Sequence, residues 1–450
     1  MSAPVQDAGG TGYWVPHAWL ADGPARDVRL VEGGGRWLSV HPGQPPASGD
    51  VVLPGLALPG LANTHSHAFH RALRGRTHDD GGTFWTWRQR MYSLARRLEP
   101  DSYLALAGAV FAEMALAGVT AVGEFHYLHH RPDGGRYAED NAFGLALLAA
   151  AEQAGIRITL LDTCYLAGGL DTTGYLPVDE VQRRFSDGTA VAWAERLARL
   201  PEDRPYARIG AAIHSVRAVP VAELAAVIAA AGDRPLHAHV SEQPAENEAA
   251  LARFGRTPTR LLAEAGFGGP RHTAVHATHL SPQDIAWYGA SRTNVSFCPT
   301  TERDLADGIG PASALAEAGA VLTLGSDQHA SIDLLAEARA LELNERLASL
   351  RRGRFSPAQL VRTLTAAGQA SLGWPDAGML AADYRADLVA IRLDTVRTAG
   401  TLPGQAILAA EAADVDTVLV DGRPVVRAGR HVLGDVGALL TEAIAPLWSG

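Results

Sequence analysis

The chain has 450 residues, of which 47% are hydrophobic and 20% are charged, and its formal net charge at pH 7 is -10. This composition predicts a folded protein with one large domain and room for a smaller one. The negative charge argues against nucleic acid or an anionic membrane as a partner, because both attract clustered positive charge.

The two cysteines, Cys164 and Cys298, lie far apart, which argues against a disulfide framework. The first residues lack the basic segment followed by an apolar segment that marks a signal peptide. No apolar run reaches the roughly 18 residues of a membrane-spanning helix. We therefore expect a soluble, cytoplasmic protein.

The first 55 residues contain short alternating runs, Asp27–Val31 and Trp37–Val40, that are interrupted by Gly and Pro. Such runs predict short β-strands. This segment is too short to bury a good core alone, so residues 1–55 are predicted to form one part of a small β-domain completed by the other chain end.

Residues 56–380 alternate β-rich runs with Ala/Leu-rich stretches of helical spacing, as in parallel βα units. The predicted strands are Leu56–Asn63, Val119–Glu124, Ile156–Asp162, Ala207–Ile213, Leu236–Val240, Thr273–His276, Asn294–Cys298 and Val321–Gly325. The predicted helices include Phe143–Ala154, Val221–Ala231, Glu246–Phe254 and Ala312–Ala318, with prolines near their starts. Eight strands favour an α/β protein with a closed (β/α)8 barrel. An open doubly wound sheet is the alternative.

The last segment, residues 381–450, again reads as β-structure. Ala386–Arg392 predicts a strand, and Asp416–Val420, the turn Asp421–Gly422 and Pro424–Arg427 predict a hairpin. We expect this segment to complete the small β-domain.

Polar residues fall at the predicted C-terminal ends of the barrel strands, where a parallel βα barrel carries its working side chains. His65 and His67 follow the first strand, His239 ends the fifth, and Asp327 follows the eighth. A lone His-x-His pair arises readily by chance, but its place at a strand end favours a function. Three imidazoles and one carboxylate suit Zn²⁺ or Fe²⁺, so these four residues are the predicted metal ligands.

Hydrolysis also needs groups that move protons. Glu242 lies three residues after His239, and His276 ends the sixth strand. We expect Glu242 to take a proton from a metal-activated water, and His276 to stabilise the reacting centre or to share the proton. His279 is either part of the site or structural.

At these residues the sequence resembles the amidohydrolase superfamily over nearly the whole chain. The resemblance implies a distorted (β/α)8 TIM barrel with a small β-sandwich domain built from both chain ends. Many members bridge two metals with a carboxylated lysine, and this sequence contains no lysine. The resemblance therefore implies the branch with one divalent metal per chain.

Within that superfamily, several stretches resemble the deiminases that act on formimidoylglutamate in bacterial histidine degradation. The matching stretches are residues 63–69 (NTHSHAF), 84–92 (FWTWRQRMY), 124–130 (EFHYLHH), 214–217 (HSVR), 275–280 (VHATHL) and 298–302 (CPTTE). The resemblance implies hydrolysis of N-formimidoyl-L-glutamate to N-formyl-L-glutamate and ammonia, and a homodimer.

A dicarboxylate substrate calls for arginine partners, because guanidinium groups bind carboxylates bidentately. The family's substrate contacts match Arg88, Tyr127, His214 and Arg217, and a fifth contact position is occupied here by His70. His70 departs from the family's usual Gln, although imidazole can form a comparable hydrogen bond. Arg303 is a further candidate for a carboxylate.

Three alternatives stay open. A related one-metal deaminase would act on a purine-like ring or another amidine. A metal-binding scaffold would have no activity to lose, and a binuclear amidase or peptidase would hold two metals.

Overall fold

The computed structural model of the chain describes residues 9–78 and 84–449. Its strands are β1 (Thr11–Leu20), β2 (Gly23–Gly33), β3 (Arg36–His41), β4 (Val51–Val52), β5 (Leu56–Pro59), β6 (Leu61–Ser66), β7 (Val119–His126), β8 (Arg157–Cys164), β9 (Gly169–Asp171), β10 (Gly174–Leu176), β11 (Ala207–Ile213), β12 (Leu236–Val240), β13 (His272–His276), β14 (Asn294–Phe297), β15 (Val321–Leu324), β16 (Leu388–Ile391), β17 (Val415–Val420), β18 (Arg423–Arg427) and β19 (Arg430–His431).

The α-helices of the described residues are α1 (Phe84–Ala95), α2 (Pro100–Leu116), α3 (Ala142–Ala154), α4 (Ala190–Leu197), α5 (Val221–Ala231), α6 (Pro244–Phe254), α7 (Pro258–Glu264), α8 (Pro282–Ser291), α9 (Pro299–Asp304), α10 (Ala312–Ala318), α11 (Leu334–Ser349), α12 (Pro357–Leu364), α13 (Ala366–Ser371) and α14 (Val436–Ile444). Short 3-10 turns occur at Ala68–Leu73, Gln182–Arg184, Pro403–Leu408, Ala412–Asp414 and Ala445–Trp448. The predicted helices are confirmed to within two residues.

Eight parallel strands form the larger sheet in the order β15-β14-β13-β12-β11-β8-β7-β6. The two edge strands meet through a parallel bridge between Ser66 and Asp327. The backbone N–H of Asp327 donates to the carbonyl of His65 at 3.0 Å, and that of His67 donates to the carbonyl of Asp327 at 3.2 Å. These bonds close the ring, which confirms the barrel and excludes the open doubly wound sheet.

The prediction of one strand from Leu56 to Asn63 is wrong. Leu56–Pro59 pairs with β1 and β16 in the other sheet, whereas the barrel strand begins at Leu61. The chain crosses between the sheets at Gly60, where an added Cβ would lie 2.3 Å from Thr120 Oγ1. Both halves of the run are buried and apolar, so hydrophobicity along the sequence does not mark the break.

The second large sheet combines both chain ends in the order β19-β18-β17-β16-β5-β1-β2-β3, with β4 beside β1. The expected hairpin is present, with β17 antiparallel to β18. This mixed sheet confirms the small domain contributed by both ends. The proposed boundaries at residues 55 and 380 stay a prediction.

Among residues 9–78 and 84–449, no helix is both long and apolar enough to cross a bilayer. Residues 1–8, which begin the segment used in the signal-peptide argument, lie outside the described residues.

Candidate active site

The four predicted metal ligands converge at the C-terminal mouth of the barrel. The Nε2 atoms of His65 and His239 lie 3.1 Å apart. Asp327 Oδ1 lies 3.4 Å from His65 Nε2 and 3.3 Å from His67 Nε2. The barrel closure causes this meeting, because the bridge at Ser66 and Asp327 joins the first strand to the segment after the last one.

The imidazoles of His67 and His239 turn unprotonated Nε2 atoms toward the cluster. His67 Nδ1 donates to the carbonyl of Phe125, and His239 Nδ1 donates to the carbonyl of His214, both at 2.8 Å. Burial, followed by the neighbouring His65, lowers the pKa of His67 to about 3. Burial also holds the pKa of His65 and His239 well below the ordinary value.

Neutral rings whose Nδ1–H groups are engaged leave lone pairs on Nε2, which is the state a metal ligand needs. Donor atoms of His65, His67 and His239 lie within 4.8 Å of one another, as do those of His65, His276 and Asp327. This donor set fits a divalent metal ion.

Two residues of this cluster adopt left-handed backbone conformations, Asp327 with φ 45° and His276 with φ 67°. Such conformations cost energy for non-glycine residues and persist where the surrounding structure enforces them. Here they occur where β13 and β15 end and the side chains turn into the barrel mouth.

The predicted proton-transfer residues lie next to the cluster. His276 Nε2 is 3.9 Å from Glu242 Oε1 and 3.7 Å from Asp327 Oδ2. Burial alone would lower the pKa of His276. Its neighbouring carboxylates outweigh burial and raise the pKa to about 10, so the imidazole carries a proton at neutral pH.

The sequence interpretation missed the role of Glu302, which lies on α9. This buried carboxylate is 3.4 Å from His276 Nδ1 and accepts a hydrogen bond from the Cys298 backbone N–H at 2.8 Å. In the sequence, Glu302 is distinguished only as the last residue of the stretch 298–302. Nothing in the spacing of residues 276 and 302 indicates that their side chains meet.

A cavity of about 180 Å³ opens beside the cluster. Its wall contains the predicted catalytic residues, Glu242 and His276, and three of the predicted metal ligands, His67, His239 and Asp327. It also contains all the predicted substrate contacts, which are Arg88, Tyr127, His214, Arg217 and His70. His65 is fully buried. The structure therefore brings all predicted site residues together.

His70 belongs to the cavity wall and also contacts Tyr127. Its Nε2 lies 2.8 Å from the Tyr127 hydroxyl. Burial, followed by the proximity of His67, holds the pKa of His70 well below the ordinary value. The neutral ring can accept from or donate to this phenol, so the two side chains form one polar unit.

The two arginines have different surroundings. Arg88 donates to the Tyr92 hydroxyl at 2.6 Å and to the carbonyl of Gly168 at 3.3 Å. Arg217 donates from Nη2 to Glu242 Oε2 at 3.0 Å, and its Nε lies 3.5 Å from Glu246 Oε2. The sequence interpretation did not identify Glu246 as a neighbour of the site.

Two weaker candidates lie elsewhere. Arg303 donates to the side-chain oxygen of Asn344 at 3.0 Å and is not among the residues of this cavity wall, so its carboxylate role stays a prediction. His279 donates from Nε2 to the carbonyl of Asp307 at 2.7 Å, which indicates a structural role.

A second group of potential ligands, His126, His129 and Asp162, lies outside this cavity. Arg196 donates to both oxygens of Asp162, at 2.7 and 2.9 Å. Because a guanidinium already neutralises this carboxylate, we interpret the group as a buried ion-pair network.

The profile of the amidohydrolase family matches residues 56–425. Formimidoylglutamate deiminase from Pseudomonas aeruginosa is 38% identical over 440 residues, which cover 94% of this chain and 96% of that protein. The 8-oxoguanine deaminase of the same organism is 32% identical, covering 88% of this chain and 87% of its own.

The solved structure of an amidohydrolase from Brucella melitensis superposes with a TM-score of 0.91 at 31% identity, covering 98% of this chain and 100% of that one. The convergence of His and Asp side chains at the barrel mouth agrees with this relationship. The chain therefore belongs to the amidohydrolase family and is a hydrolase that acts on non-peptide carbon–nitrogen bonds.

Proposed function

We propose that the enzyme hydrolyses N-formimidoyl-L-glutamate to N-formyl-L-glutamate and ammonia, a step of histidine degradation. The observation that carries the proposal is the pair Arg88 and Arg217 in the wall of the cavity that also contains the His/Asp cluster. Two guanidinium groups suit a substrate with two carboxylates. The similarity to the formimidoylglutamate deiminase of P. aeruginosa supports the same substrate.

We assign the metal site to His65, His67, His239 and Asp327, holding one divalent ion per chain. Three neutral imidazoles and a carboxylate favour Zn²⁺, with Fe²⁺ as the alternative. When bound, such an ion supplies Lewis acidity that lowers the pKa of a water molecule.

In this proposal Glu242 accepts the proton that water loses as its oxygen adds to the amidine carbon. The carbon becomes tetrahedral, and Glu242 passes the proton to the departing nitrogen. Glu242 then takes the remaining proton of the added hydroxyl and gives it to the same nitrogen, so that the C=O bond forms as the C–N bond breaks and ammonia leaves. His276, which is protonated at neutral pH, donates a hydrogen bond to the developing charge. Glu302 orients the His276 ring through Nδ1.

The remaining contacts bind the substrate. Arg88 and Arg217 take the carboxylates, and Tyr127, His214 and His70 provide polar contacts around the formimidoyl group. Tyr127 and His70 act as a pair because they share a hydrogen bond.

A second candidate is deamination of a purine-like ring. The aromatic part of the cavity wall, formed by Trp87, Tyr92, Tyr165 and Phe185, favours it, because flat rings stack on aromatic side chains. The relative that is an 8-oxoguanine deaminase is also consistent with it. Two arginines in one small cavity have no evident partner on a neutral purine.

Ammonia release from formimidoylglutamate, measured beside guanine, 8-oxoguanine and adenosine, distinguishes the two candidates. We expect turnover of formimidoylglutamate only. Inertness toward it, with turnover of a purine, would reject the proposal. Metal analysis of the same preparation tests the binuclear alternative, since we expect about one ion per chain.

The proposed enzyme is a cytoplasmic homodimer. Both cysteines are free and buried, as in proteins of a reducing compartment. Light scattering of the purified protein checks the dimer, and a monomer mass would contradict it.

A further inference from the structure

The environment of Arg217 contains two carboxylates that differ in their access to the cavity. Glu242 belongs to the cavity wall, whereas the side chain of Glu246 is 0% exposed and lies behind it. Glu246 occupies the first turn of α6, four residues after Glu242. Both carboxylates therefore approach the same guanidinium, but only Glu242 does so from the side that a substrate can enter.

Burying an ionised carboxylate lowers the stability of the fold unless a cation lies next to it. Among the described residues, Arg217 is the partner with which Glu246 forms an ion pair. Burial raises the pKa of Glu246, and Arg217 opposes that rise. The pair thus gives Arg217 an anchor that does not depend on substrate.

The two carboxylate oxygens of Glu242 have different neighbours. Arg217 donates a hydrogen bond to Glu242 Oε2 at 3.0 Å, while Glu242 Oε1 lies 3.9 Å from His276 Nε2. This charge-assisted hydrogen bond engages the carboxylate oxygen that faces the guanidinium. The proposed proton carrier is therefore held in an ion pair with Arg217.

A guanidinium has five N–H donors, so it can keep one contact through Nε while its other nitrogens change partner. We propose that Glu246 is a positioning residue that anchors Arg217, and that a substrate carboxylate displaces Glu242 from Arg217, which frees Glu242 for proton transfer. This inference rests on the proposed function. If this inference is correct, one substrate carboxylate contributes to kcat as well as to binding.

The first test uses the metal-loaded wild-type enzyme and two analogues of formimidoylglutamate. N-formimidoyl-γ-aminobutyrate lacks the α-carboxylate, and N-formimidoyl-2-aminobutyrate lacks the side-chain carboxylate. We expect loss of one of the two carboxylates to lower kcat at least about tenfold, and added acetate to restore part of it. Analogues that raise only KM, with no response to acetate, would overturn the displacement of Glu242.

The second test compares Glu246→Gln with Glu248→Gln, an exposed residue of the same helix. We expect Glu246→Gln to raise KM for formimidoylglutamate about tenfold with a smaller change in kcat, because Arg217 loses its anchor. Glu246→Asp should recover part of the loss, and melting temperatures verify that each variant folds. Equal kinetics of Glu246→Gln and Glu248→Gln would overturn the positioning role.

Calorimetric binding of N-formylglutamate separates this inference from the proposed function. Suppose that formimidoylglutamate is not turned over, but that Glu246→Gln, unlike Glu248→Gln, weakens N-formylglutamate binding about tenfold. The proposed reaction is then rejected, whereas the positioning role of Glu246 is supported. If wild type and Glu246→Gln bind this dicarboxylate equally, the anchor is rejected whatever the reaction is.

Discussion

At the scale of single residues, the site combines side chains of opposite protonation state within a few ångströms. His67 stays neutral because burial lowers its pKa to about 3, whereas the carboxylates around His276 raise its pKa to about 10. Neutral imidazoles suit metal ligation, and a protonated imidazole suits stabilisation of negative charge. The difference arises from neighbours, since both residues are buried histidines at strand ends.

Glu242→Gln tests the proposed proton carrier. The amide keeps the shape of the side chain but cannot accept and return a proton, so we expect kcat to fall by about 10²–10⁴-fold. Steady-state kinetics measure the change, and metal analysis should show unaltered metal content. Activity within a few-fold of wild type would show that the proton takes another route.

His126 gives a pH dependence of stability. Burial lowers its pKa from 6.5 to about 4, so the unfolded chain binds a proton at higher pH than the folded one. The free energy of unfolding should therefore decrease as pH falls from about 6.5 to about 4, and His126 should contribute about 2 kcal/mol of that loss at pH 5.

Urea unfolding of wild type and His126→Gln at pH 7.5 and pH 5 measures this contribution. The variant should lose less stability between the two pH values than wild type. An equal loss in both proteins would mean that His126 does not titrate differently in the folded chain.

At the scale of elements, the contact of β6 with the segment after β15 decides the geometry of the proposed metal site. Gly325 permits this contact, because an added Cβ would lie 2.7 Å from both the Cβ and the carbonyl oxygen of His65. The hydrogen bonds from Ser326 and Asp327 to the His65 carbonyl depend on the same approach. The ligands of the two strands are therefore coupled through one backbone contact.

Gly325→Ala should push these segments apart and move His65 away from Asp327. We expect a lower melting temperature and at least about tenfold weaker metal binding, as for other changes that misplace a ligand. Gly108→Ala in α2 is the matched control, since its added Cβ meets only Gln153 Oε1 at 3.9 Å. Unchanged metal affinity in Gly325→Ala would contradict the coupling.

At the scale of the whole molecule, the proposed metal site lies where the two edges of the barrel sheet join, while the chain ends pair in a separate sheet. The proposed ligands come from the end of β6, from β12 and from the segment after β15, so a bound ion should stabilise the closed ring. Binding to the folded chain adds to stability by mass action.

Removal of the ion with a chelator should abolish activity and lower the melting temperature. At a free metal concentration of 100 times Kd, the ion contributes about 2.7 kcal/mol to the free energy of unfolding. Calorimetry of the metal-free and reloaded protein checks the shift, and activity should return on addition of Zn²⁺. A metal-free protein of equal stability and activity would contradict the proposed site.

Local patterns were sufficient for much of the prediction. Alternating βα segments identified the barrel, and strand-end histidines such as His239 identified the mouth, because both depend on the order of residues along the chain. The break at Gly60 escaped prediction, since Leu56–Pro59 and Leu61–Ser66 are equally buried in two different sheets.

The sequence by itself determined which side-chain types stand at the ends of the barrel strands and the charge of the candidate substrate contacts. Only the tertiary structure decided that Glu302 meets His276 and that Glu246 lies behind Arg217. These contacts join side chains 26 and 29 positions apart, so no period of helix or strand relates them. They arise because the barrel brings the C-terminal ends of successive strands to one place, where burial and charge then set the properties of each group.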